Sequence, residues 1–124
     1  MFNCSRHIEQ LNIITASVTM QAMRSPSHPP TESLSLTRVL HALSDPVRLA
    51  LVQSLAIKGE QACGAINLTV AKSTASHHFR VLREAGVIQM RPDGTQFINS
   101  LRKEDLDSRY PGLLVAVLRA LGSG

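Results

Sequence analysis

A small, mainly α-helical fold carrying one β-hairpin (α+β) is predicted for this chain of 124 residues by three observations. Residues 72–86 place Ala75, Phe79, Leu82 and Gly86 at helical steps, so one apolar stripe needs burial while the other side stays wet. Two short apolar runs then flank Pro92-Asp93-Gly94, a turn signal. The composition is 44% hydrophobic but only 3% aromatic, with no Trp, so the core must be Leu, Val, Ile and Ala, which favours helices. Such a length gives one domain with a modest core, and a second copy would help it bury apolar surface.

Taken in order, residues 1–23 carry Ile8, Leu11, Ile14, Val18 and Met20 at loosely helical intervals, among the poor helix formers Asn3, Asn12, Thr15 and Thr19. Arg24 to Thr31 is rich in Pro and Ser and is expected to be a mobile linker. Residues 1–33 are thus an N-terminal extension to a domain spanning 34–121, and a start of translation at Met20 or Met23 would cost that domain nothing. Leu36, Val39, Leu40 and Leu43 make a first helical stripe. Ser44-Asp45-Pro46 breaks and restarts the chain, because Ser or Asp caps exposed amides and Pro is tolerated in a first turn. The second helix runs to about Ile57 with Leu49, Val52, Leu55 and Ala56 inward, and Lys58-Gly59 closes it.

Residues 60–71 are irregular, with a short helix expected near 62–67. The helix of about Ser73 to Ala85 ends at Gly86, which can supply a left-handed residue. The second hairpin strand should end near Ser100 or Leu101, followed by a polar connection of one helical turn at 102–109. Tyr110-Pro111-Gly112 then opens a helix over 113–121 that is apolar on most sides and predicts pairing with a symmetry mate. An amphipathic helix with a polar outer face, a Gly stop and a hairpin together describe a winged helix-turn-helix, which the pairing of its last helix would make dimeric.

The stretches Leu43-Ser-Asp-Pro-Val-Arg-Leu49 and Ser73-Thr-Ala-Ser-His-His-Phe-Arg-Val-Leu-Arg-Glu-Ala-Gly-Val87, with the Asp-Gly-Thr turn, resemble the ArsR/SmtB family of bacterial transcriptional repressors over roughly residues 34–121. The resemblance implies a homodimer, formed through the helices near 34–43 and 111–121, that binds an inverted-repeat operator in double-stranded DNA. It also implies regulation by a metal or by thiol oxidation, and an Arg48 that meets the DNA backbone or an internal acid.

Charge placement agrees with a DNA partner. The chain carries +4, yet residues 1–33 are neutral, with Arg6 and Arg24 against Glu9 and Glu32; Lys72, Arg80, Arg83 and Arg91 against Glu84 make residues 72–91 net +3. The wet helix side offers Ser73, Ser76, His77, Arg80 and Arg83, whose hydroxyls, imidazole and guanidiniums suit phosphates and base edges. Ser73, Thr74, Ser76, His77 and Arg80 are expected nearest the bases, Lys72 and Arg83 nearest the phosphates, and Arg91, Gly94 and Thr95 along the minor groove as the wing.

Other function classes find little support. No nucleophile with an oriented base, carboxylate pair or phosphate-cradling Gly loop is visible, so no enzyme and no cofactor are expected. Neighbouring His77 and His78 diverge by about 100° on a helix and cannot easily share a metal. The resemblance would place metal ligands at paired cysteines before the recognition helix or at acids and His on the last helix; only Cys63 stands in the first place, and no His follows position 78. Cys63 is a candidate thiol sensor or, more simply, a core-filling residue, and Cys4 lies far from it in sequence. No stretch is long and apolar enough to span a bilayer and no leader is evident, so the protein is expected in the cytoplasm. The competing reading is a winged-helix interaction module with weak, unspecific DNA affinity.

Overall fold

The computed structural model describes residues 26–123. The periodicity read over residues 1–23, Cys4 and the alternative starts lie outside the described residues. Five helices and a small antiparallel sheet follow in the order α1 (Leu36–Ala42), α2 (Pro46–Lys58), β1 (Gln61–Ala62), α3 (Lys72–Ala85), β2 (Ile88–Asp93), β3 (Gln96–Leu101), α4 (Lys103–Arg109) and α5 (Leu113–Ser123). This is a winged helix-turn-helix, as the sequence predicts.

Local chemistry sets the boundaries. Ser35 caps α1, accepting from the Arg38 amide, and Asp45 caps α2, accepting from the amides of Val47 (2.8 Å) and Arg48 (3.2 Å) ahead of Pro46 in the first turn. Gly86 ends α3 in the left-handed region at φ 86°, donating its amide back to the Arg83 carbonyl. The turn after α3 is tight: a Cβ on Gly86 would run into the Leu34 side chain.

The hairpin gains a strand that periodicity does not announce. β1 is only two residues long and pairs with β3, Gln61 opposite Asn99 and Ala62 opposite Ile98, giving the order β1-β3-β2. The short helix expected near 62–67 reduces to one 3₁₀ turn, Cys63–Ala65. Within the hairpin Met90 faces Asn99 and Asp93 faces Gln96, so Gly94 and Thr95 form the turn.

The core joins α1, α2, α3 and the sheet, with Leu51, Val52, Leu82, Val87 and Ile88 fully enclosed. Two expected stripes shift. On α1, Val39, Ala42 and Leu43 are buried, whereas Leu36 and Leu40 are 45% and 46% exposed. On α2, Arg48 and Leu51 join Val52 and Leu55 inside, while Ala56 is exposed and Leu49 half-buried.

The Pro-rich stretch read as a linker lies, from His28 onward, against the domain. The Met90 amide donates to His28 Nε2 (3.0 Å), Arg102 Nη1 donates to the Pro29 carbonyl (2.7 Å), and Thr31 Oγ1 donates to Asp105 (2.7 Å). Arg109 donates to the carbonyls of Thr31, Glu32 and Leu34, and the Tyr110 hydroxyl also reaches Leu34. Residues 28–34 therefore form a strap across β2, the end of α3, and α4.

Candidate nucleic-acid interface

α3 turns a narrow polar stripe outward. Ser73, His77 and Arg80 succeed one another at steps of four and three and are exposed, with Lys72 and Thr74 exposed beside them. The stripe continues to Glu84. Ser76 and Arg83, expected on the same face, fall on its flank: at about 100° per residue both lie roughly 70–90° to one side of the stripe's centre. Ser76 is half-buried with its hydroxyl enclosed and unbonded, and the Arg83 side chain is only 18% exposed with Nε enclosed. Burial lowers the Arg83 pKa, the neighbouring Arg80 adding to this while Glu84, 3.8 Å away, opposes it.

The start of α3 adds a second feature. Ala71 stands at the N-cap and has no side-chain oxygen to offer, so the helix begins without a side-chain cap. First-turn amides and the positive end of the helix dipole thus point the same way as Ser73 and Thr74, an arrangement that favours phosphate.

On the wing, Arg91, Gly94 and Thr95 are all exposed, and Gly94 takes φ 65° in the turn. Arg91 is tied back rather than extended: its Nη2 donates to Glu60 Oε1 at 3.0 Å, both side chains being about half exposed (49% and 53%). Such an exposed pair is worth little and can be exchanged for a phosphate at small cost.

Arg48 and Cys63 both lie inside the domain. Arg48, for which the resemblance implied a DNA backbone contact or an internal acid, is buried; its backbone amide donates to Asp45, while its guanidinium is held by other partners. Its Nε donates to the Ala42 carbonyl (2.7 Å), Nη2 to the His41 carbonyl (3.2 Å) and Nη1 to His78 Nδ1 (3.1 Å). It closes the end of α1, whose last carbonyls have no partner within the helix. Cys63 is 7% exposed on the 3₁₀ turn, where Asn99 Nδ2 donates to its sulfur at 3.3 Å. Among the described residues no three His, Cys, Asp or Glu side chains are grouped to hold a metal, and no helix is long and apolar enough to cross a membrane.

A family model described as a helix-turn-helix domain matches residues 43–91, the span from the end of α1 through α3 into the wing. An uncharacterized HTH-type transcriptional regulator of Bacillus subtilis is 38% identical over 80 residues, covering 62% of this chain and 80% of that protein. The chain belongs to the ArsR family of helix-turn-helix transcriptional regulators. A cadmium resistance transcriptional regulatory protein CadC homolog of Staphylococcus aureus is 33% identical over 73 residues, 57% of this chain and 60% of that protein. An uncharacterized HTH-type transcriptional regulator of Methanocaldococcus jannaschii is 36% identical over 59 residues, 46% of this chain and 66% of that protein. As an ArsR-family member the protein is a DNA-binding transcriptional regulator, and the fold supplies a helix and a wing suited to that task.

Proposed function

We propose that this ArsR-family regulator is a repressor that binds an inverted-repeat operator as a homodimer. The observation that carries the reading is the exposed stripe of Ser73, His77 and Arg80 running back to a helix start without a side-chain cap. In the major groove, Ser73, Thr74, His77 and Arg80 would meet base edges, and Lys72 with the first-turn amides would meet phosphates. Ser76 and Arg83 sit at the margin of that contact, and the wing, with Arg91, Gly94 and Thr95, would follow the minor groove. The apolar residues left exposed on α1 and α5, Leu36, Leu40 and Val115, support pairing through those two helices. Residues 1–33 would then be an N-terminal extension to a DNA-binding domain spanning 34–121, with residues 28–33 held against that domain by the strap contacts. An effector would act by changing the spacing or flexibility of the two reading heads.

Fluorescence anisotropy with a labelled duplex from upstream of the protein's own gene, against a scrambled duplex over a salt series, tests this. Tighter binding to the native duplex that persists as salt rises is expected. Equal, salt-sensitive binding to both would reduce the site to a basic surface and favour the interaction-module reading.

A further inference from the structure

The Arg48 and His78 pair joins the elements that hold the reading helix, and nothing in DNA contact itself requires it. Arg48 is 6% exposed and His78 7% exposed. A guanidinium has donors and no lone pair, so the 3.1 Å contact between Arg48 Nη1 and His78 Nδ1 requires Nδ1 to accept. His78 is therefore a neutral imidazole carrying its proton on Nε2. The same guanidinium holds the last carbonyls of α1, while Asp45 fixes its backbone amide at the start of α2. One side chain thus ties the end of α1 and the start of α2 to the second turn of α3, beside outward-facing His77.

We propose that His78 is a positioning residue: its neutral imidazole locks the reading helix onto Arg48, and protonation of it unseats that helix and releases DNA. The proposal rests on the reading of α3 as the groove-entering helix. A proton on Nδ1 would set N–H against N–H and one cation against another. Of the charged groups facing His78, Asp45 at the start of α2 favours the imidazolium, and Arg48 on α2 and His77 on α3 oppose it; the α1 carbonyls of His41 and Ala42 are held by Arg48. Burial, the largest influence, pushes the His78 pKa below the ordinary imidazole value despite Asp45. The lock is therefore complete at and above the ordinary imidazole range and is lost as pH falls below it. This sign is diagnostic, because a proton added on a surface facing the duplex adds positive charge and strengthens binding.

The test is anisotropy with the full chain and the duplex from upstream of its gene, at fixed salt, at about pH 8 and about pH 5.5, either side of the imidazole range. His78→Asn places Oδ1 where Nδ1 was, keeping the acceptor and removing the titration. We expect wild type to lose several-fold more affinity on acidification than His78→Asn, short of the roughly tenfold that one proton on an imidazole of ordinary pKa could cost at about pH 5.5, and the two should match at the higher pH. His28 is common to both proteins, so its contribution divides out of that ratio. His78→Leu, with folding verified by circular dichroism, should bind weakly at both pH values. Equal acid losses in wild type and His78→Asn, or a His78→Leu protein that binds as wild type, would overturn the proposal alone. Failure of wild type to prefer the native duplex at the higher pH would overturn the groove reading and this proposal with it.

Discussion

Arg80 and Arg83 are three residues apart on one helix, yet they face different surroundings. Arg80 is exposed on the open stripe, whereas Arg83 lies along the flank with Nε enclosed and Glu84 at 3.8 Å. Arg80→Ala should reduce discrimination between native and scrambled duplexes by about 1–3 kcal/mol, as loss of a base contact does. Arg83→Ala should instead leave the salt slope of binding nearly unchanged and lower the melting temperature, since its methylene stem packs inside. A phosphate contact at Arg83 would reveal itself as a slope smaller by about one in a log-log salt plot. The residue types on this face were legible in the sequence, but the division between stripe and flank was not. A helical step of 100° puts Ser76 and Arg83 near the margin, and only the packing of neighbouring elements decides whether a margin is wet.

At the scale of elements, the ends were the most legible features, because each depends on a few local groups. Asp45-Pro46 starts α2 and Gly86 stops α3 by chemistry contained within a few residues. The strap was not legible, for the opposite reason: most of its anchors are backbone carbonyls of residues 29–34 met by Arg102, Arg109 and Tyr110 from more than 70 positions away. Carbonyls leave no signature in a sequence. β1 escaped notice because two residues cannot display an alternation. Gly86 is where both kinds of feature meet, needing a left-handed backbone and offering no room beside Leu34. Gly86→Ala should destabilise the fold by about 1–3 kcal/mol, combining the cost of positive φ with that of overpacking, as measured by denaturant titration. Its companion Leu34→Ala/Gly86→Ala, which removes the clash, should recover part of the loss, leaving the backbone contribution.

For the whole molecule, the same apolar periodicity that predicts a buried stripe on α1 also describes a surface shared between two copies. Sequence alone cannot separate the two, and Leu36 and Leu40 show the difference only in three dimensions. Placing a charge there tests the assembly without touching the monomer's interior. Leu36→Asp/Leu40→Asp should shift sedimentation toward a single chain and weaken operator binding by well over tenfold, since two half-sites then bind independently. Thermal unfolding of the variant should remain cooperative.

The strap begins beside the edge strand of the wing, where His28 meets the Met90 amide. That imidazole occupies an outward amide of β2, which lies at one edge of the sheet, and so blunts that edge against the addition of a strand from another chain.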